Sequence, residues 1–381
     1  MKRGDRRTIH PWLAVVAVVV AVAVGVGGRI WLTRTPAGAH QERPRPAPLQ
    51  IHATGLPEAI QGETVTAVAL GRDGLLAMGT AGGRVRLVDR QLRPVPGREW
   101  IAKGFPVSKL AFSADGSTLA GVTAQGHLWT WRFAAGELHV MKKQLTGTDD
   151  VSAIALSSDG QRLVAVGFNV WVFDGRSGKP TATFEQPVPS GGTGQYDAVA
   201  FTADTTAVVA AGIDQGGSET VQGDDGGEVQ GKGGVHIWRL AGSATAPPAR
   251  QSCQCPADGA ALTDDGRFAT FGTSDAHVVV WDARQRRPLG EQTISAEPGD
   301  HVYGTAVSAD GNRVAAGTAN GKLALWDPAA DRMLGRTRFS GEPITRVEMS
   351  DDGKLVLVEG QKANVLDAPV GAHDRWLVTL S

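Results

Sequence analysis

From about residue 49 onward the chain alternates apolar and polar residues with a period of two, and it does so in recurring blocks. Each block is an apolar-alternating run, an Asp-Gly turn, a second alternating run ending near a Gly, and a third run closed by an aromatic or apolar residue before Asp. The clearest copy is Val302 to Asp327, VYGTAVSADGNRVAAGTANGKLALWD. Period-two alternation marks half-buried strands, and a short Asp-Gly link between two such runs marks a tight hairpin. The turn aspartates are Asp73, Asp115, Asp159, Asp204, Asp265, Asp310 and Asp352, at intervals of 42, 44, 45, 61, 45 and 42 residues. The long interval comes from one insertion. Gly212 to Trp238 takes 26 residues, where Gly272 to Trp281 and Gly317 to Trp326 take 9 each. A weaker fourth run follows each third one, as in Met333 to Phe339. The expectation is therefore all-β, with four antiparallel strands per copy.

A single copy of this length cannot bury its own apolar faces and must stack on its neighbours. Four strands in roughly 40–45 residues is the size of one β-propeller blade. Trp281-Asp282 and Trp326-Asp327 carry the signature dipeptide of the WD-repeat propellers. Trp131-Arg132, Trp238-Arg239, Phe173-Asp174, Val88-Asp89 and Leu366-Asp367 are degenerate forms of it. In these features residues 49–381 resemble the WD-repeat family. That resemblance implies a seven-bladed β-propeller, with repeat cores at about 65–90, 107–132, 151–174, 197–240, 258–283, 302–327 and 344–367. It also implies a non-enzymatic scaffold that binds protein partners. No copy has the family's Gly-His before its first strand, so the turn aspartates are expected to bond their own backbone. Copy four also replaces the turn Gly with Thr205. Two segments compete for the last place in the ring, Leu49 to Gly55 and Trp376 to Ser381, and the N-terminal one is preferred.

The front of the chain is of another kind. Residues 1–11 form a short basic tail, and residues 33–48 read as an extended Pro/Arg-rich tether. Between them, Trp12 to Leu32 is apolar but for Arg29, with a Trp at each end. These 21 residues would make a helix of about 31 Å, enough to cross a bilayer. A single N-terminal transmembrane anchor is expected, with Lys2, Arg3, Arg6 and Arg7 favouring a cytoplasmic N-terminus and the propeller outside. The alternatives are secretion after cleavage near Ala39, or a cytoplasmic propeller. Arg outnumbers Lys 28 to 10 in a Gly- and Ala-rich chain, which suggests a bacterial source.

Charge narrows the partners. A net charge of −1 gives no general field for nucleic acid, so none is expected as a partner. The propeller is expected to be monomeric. No nucleophile elbow, zinc helix, phosphate loop or dinucleotide fingerprint occurs, so neither metal nor cofactor nor catalytic residue is assigned. The alternatives to a scaffold are a quinoprotein- or lactonase-like enzyme and a sensor of cell-envelope ligands. The only cysteines, Cys253 and Cys255, stand two apart in an extended segment. There they point to opposite faces, so a disulfide between them would need a local turn. They are read as incidental small residues of a connecting segment, the alternatives being a soft-metal site or redox chemistry.

Partner contact is expected where one face of the ring has a step. The short hairpin of copy three offers Phe168 and Asn169. The acidic, Gly-rich insertion beside it offers Asp214, Glu219, Asp224, Asp225 and Glu228.

Overall fold

The computed structural model describes residues 49–101, 104–134, 137–140, 145, 151–167, 169–185, 195–214, 232–241, 248–339, 341–361 and 373–381. These belong to one compact unit, Pro48–Ser381. The expected span Trp12 to Leu32 lies outside the described residues. Among the described residues no helix is long and apolar enough to cross a membrane.

The described chain is all-β and antiparallel throughout. Four sheets have four strands, one has five and one has seven. The seven-stranded sheet is two four-stranded meanders sharing the strand Ala249–Leu262, whose first part pairs with Lys232–Arg239 and whose second part pairs with Phe268–Thr273. Taken as meanders of four, the strands form modules numbered here 1 to 7. Their first strands are Glu63–Leu70, Val107–Phe112, Ala153–Leu156, Gln195–Phe201, the second part of Ala249–Leu262, Val302–Val307 and Ile344–Met349.

Each turn that was expected from Asp-Gly joins the first strand of a module to its second. The apolar alternation is what packs one module on the next. Seven buried clusters each join two consecutive modules. Trp171 and Phe173 fill the junction of modules 2 and 3, Trp238 that of 3 and 4, and Trp326 that of 5 and 6. The last cluster joins Leu357 and Leu377 of module 7 to Val65, Val68, Leu76 and Met78 of module 1, so the series of junctions returns to its start.

The two segments expected to compete for the last place both take part. His373–Leu380 is the third strand of module 7, with Val358 opposite Trp376. Ile51–Gly55 adds as its fourth, with Gly55 also opposite Trp376. The third strand had been expected to end at Leu366-Asp367, which lies outside the described residues. The choice between the two segments was a false one, because the slot before the N-terminal strand was open to the C-terminal one.

Cys253 and Cys255 are joined as a disulfide, with Cα atoms 5.3 Å apart. The local irregularity that the bridge needs is present. Partners run from Gly234–Ser252 to Lys232–Pro256, so one strand advances two residues (234 to 232) while the other advances four (252 to 256).

Candidate functional site: a cavity lined by every module

The first strands of all seven modules line one cavity of about 2750 Å³. Its polar character comes from a repeated backbone irregularity. Six first strands shift register near their start, between Val65 and Ala67, Val107 and Lys109, Tyr196 and Ala198, Ala257 and Gly259, Val302 and Gly304, and Ile344 and Arg346. A bulge re-aims the side chain of the extra residue. The skipped residues are Thr66, Ser108, Asp197, Asp258, Tyr303 and Thr345, and in module 3 Ser152 takes the same place just before its strand. All seven line the cavity. Each follows a buried residue (Val65, Val107, Val151, Tyr196, Ala257, Val302 and Ile344) and is itself half-buried or exposed.

This ring has two halves of different chemistry. The Thr66 hydroxyl donates to the Val107 carbonyl at 2.7 Å, Ser108 to Val122 at 3.1 Å and Ser152 to Val166 at 3.2 Å, so these three are turned back on the backbone. Modules 4 to 6 instead contribute Asp197, Asp258 and Tyr303. His301 Nδ1 lies 2.9 Å from Asp258 Oδ2, and its ring stacks on Tyr303 with centroids 5.8 Å apart. Tyr303 is 37% exposed, and Phe105, stacked on His127, is another of the few large exposed apolar side chains.

The other end of the cavity reaches the turns of modules 1, 2, 5 and 7. In six modules the turn aspartate accepts a bond from the hydroxyl two residues before it and from the amide two residues after it. Examples are Ser113 to Asp115 at 2.6 Å with Ser117 N at 2.9 Å, and Ser308 to Asp310 at 2.6 Å with Asn312 N at 3.0 Å. The same hydroxyl accepts from the amide five residues on, as from Thr118 N at 3.0 Å. The expectation of backbone bonds alone was thus too narrow, because a Ser or Thr hydroxyl completes each turn. Burial alone would raise the Asp310 carboxyl, but the Ser308 hydroxyl and the Asn312 amide outweigh it and hold it below the ordinary carboxylate value. Module 1 departs from the pattern. A Cβ at Gly71 would meet the Phe112 ring at 2.9 Å, so no Ser or Thr fits there. Its turn is a single 3-10 turn with Asp73 at φ 59°.

The residue just before the turn aspartate is Asp264 in module 5 and Asp351 in module 7, and both line the cavity. Asp264 is exposed at its surface, yet protein atoms crowd its carboxyl on most sides. Burial, and after it the charges of Asp351, Glu348 and Asp265, push its carboxyl up to about 7. Burial likewise raises Asp351, against the opposing pull of Arg72.

A chain of charges crosses from this mouth to the junction of modules 7 and 1. Glu348 pairs with Arg346 and accepts from Leu70 N at 2.9 Å. Arg346 lies 3.9 Å from Glu359, and Arg375 holds Glu359 at 2.6 Å and the Val65 carbonyl at 2.9 Å. Burial works to lower Arg346, but Glu348 and Glu359 outweigh it and raise it. Among the described residues no group of three His, Cys, Asp or Glu side chains is placed to hold a metal ion.

Of the residues singled out for partner contact, Asn169 opens the third strand of module 3, half-buried and opposite Glu185. Asp214 ends the second strand of module 4, opposite Lys232. Phe168, Glu219, Asp224, Asp225 and Glu228 lie outside the described residues. The bulge ring was not found from sequence. Its signal is the residue after the apolar opener of each first strand, visible only when the copies are aligned on that opener.

The family described as WD domain, G-beta repeat matches residues 291–327, which run from the last strand of module 5 through the third strand of module 6. No curated protein matches the chain.

Proposed function

We propose that residues 49–381 form a seven-bladed WD-type β-propeller that acts as a non-enzymatic scaffold for protein partners. The observation that carries this is the return of the junction series, module 7 packing on module 1 around a cavity that all seven first strands line. The WD40 match at residues 291–327 agrees with it, as repeat propellers commonly offer such surfaces to proteins. The docking face is the one with the bulge ring, where Asp258, His301 and Tyr303 stand open. Asn169, and Asp214 and Lys232 on either side of the insertion, belong to that same end of the modules.

The chain is held at a membrane by Trp12 to Leu32, with the propeller outside; the length and apolarity of that segment support this. Alkaline phosphatase fused after Ser381 should be active in this orientation. An inactive phosphatase fusion beside a bright cytoplasmic fluorescent fusion would reverse it.

Partner capture with the full chain tests the scaffold. Two changes, Tyr303→Ala with Asp258→Asn and the replacement of residues 215–231 by Asn-Gly, should each lower recovery of partners without shifting the melt. Unchanged recovery in both would refute the docking face. A second reading, an enzyme, is favoured by Asp264 alone, because a protonatable carboxyl in a large cavity is suited to acid–base work. An enzyme built on it would lose its reaction in Asp264→Asn while still capturing partners.

A further inference from the structure

The Cys253–Cys255 bridge closes a loop of three residues inside a strand whose first part pairs with module 4 and whose second part pairs with module 5. Short loops restrict the unfolded chain least, so this is the least effective kind of disulfide for global stability. Its position is specific. Cys253, Gln254 and Cys255 together stand against the single residue Gly233, at the kink where the strand leaves module 4 to become the first strand of module 5. A Cβ at Gly233 would lie 2.6 Å from Cys253 Sγ and 2.7 Å from the Phe271 ring. Only a glycine therefore admits the sulfur between the two modules. The two residues also differ in exposure. Cys253 is half-buried, whereas Cys255 is 8% exposed and belongs to the apolar cluster of that junction.

We propose that Cys253–Cys255 is a reversible thiol–disulfide exchange site, reduced by a dithiol donor, whose redox state sets the kink between modules 4 and 5. The donor's thiolate attacks the sulfur of Cys253, the more exposed residue of the two, forming a mixed disulfide and releasing Cys255 as a thiolate. The donor's second thiolate then displaces Cys253. Two electrons pass to the bridge, the donor becomes a disulfide, and the two released thiolates take protons from solvent. The chain has no other cysteine, so no alternative pairing competes. An ordinary strand spaces residues i and i+2 by about 6.6–6.8 Å, against 5.3 Å here. Reduction therefore lets the segment lengthen and the pairing on either side of the kink readjust.

The test uses the folded full chain in dithiothreitol and in glutathione buffers, with alkylation and mass measurement to count thiols and hydrogen exchange to read the strands. Two thiols should appear together without denaturant and disappear when oxidised glutathione is restored. Exchange at residues 232–235 and 257–262 should quicken at least tenfold in the reduced form, with the other modules within twofold. A bridge that reduces only on global unfolding overturns the proposal. Reduction that leaves exchange unchanged at those residues overturns it as well. In Cys255→Ser, glutathione should be trapped on Cys253. An adduct forming equally well on Cys255 in Cys253→Ser would overturn the order of attack.

Discussion

Modules 5 and 6 meet through Trp326, Phe268 and a wall of valines, with the Trp326 ring end packed beside Gly290. Modules 7 and 1 meet through a cluster with no tryptophan, and beside it run Arg375, Glu359, Arg346 and Glu348. The first kind of junction is local, joining a copy to the copy that follows it. The second must join residues about 300 apart in the chain, as Arg375 to Val65 and Glu348 to Leu70 do. Apolar packing is non-directional and tolerates sliding, whereas a buried charge pair costs heavily unless every partner is in place. A polar seam thus specifies one register at the place where the repeat itself offers least guidance.

Breaking each junction should show the difference. Trp326→Ala removes a side chain 1% exposed and should cost about 3–5 kcal/mol in a chemical melt. A loss below about 1 kcal/mol would mean that the regular junctions do not depend on their tryptophans. Arg375→Ala should cost about 3 kcal/mol, because it removes the guanidinium that holds buried Glu359 most closely. Joint replacement with Arg375→Met and Glu359→Leu should recover most of that loss. If the pair does not recover, the seam contributes more than charge compensation. Ser113→Ala, which removes the hydroxyl that completes a regular turn, should cost about 1–2 kcal/mol. Module 1, whose turn leans on Glu348 through Leu70 N, has no such hydroxyl to lose.

The smallest effect is one of pH. The Asp264 carboxyl is raised to about 7 in the folded chain, so between its ordinary value and 7 the folded state binds more protons than the unfolded. Stability from this group is present at low pH and falls as pH rises through about 7. The turn aspartates, held low, act in the opposite sense, and their contribution is lost on acidification. Asp264→Asn should raise the melt at pH 8 more than at pH 5. An equal shift at both would show that the cavity mouth does not raise this carboxyl.

What could be read from residues alone followed the range of the interaction. Alternation and Asp-Gly turns are local, and they located the strands, the turns and the insertion. The Ser or Thr two residues before the turn aspartate (Ser113, Ser157, Thr202, Thr263, Ser308 and Ser350) is as local and belongs to the repeated pattern, but a pattern of residue types does not say that its hydroxyl bonds the aspartate. The bulge ring required both alignment of the copies and a backbone irregularity that period-two counting cannot register. The seam was out of reach, because nothing near Glu359 in the chain announces Arg375 as its partner or Val65 as its neighbour. The cysteine bridge was judged from an ideal strand, and the two-residue excess opposite Gly233 is where that ideal fails.

Pairing of Ile51–Gly55 with His373–Leu380 has a consequence in time. During synthesis the first of these segments leaves the ribosome about 320 residues before the second, roughly 15–60 s at ordinary elongation rates. Until then it is a short strand without its mate, and modules 1 to 6 can be assembled while the final one still lacks two of its four strands. The pairing of module 7 with the N-terminal strand therefore waits for residues 373–380, and a chain arrested before them leaves Ile51–Gly55 and Leu355–Gln361 each without its partner strand.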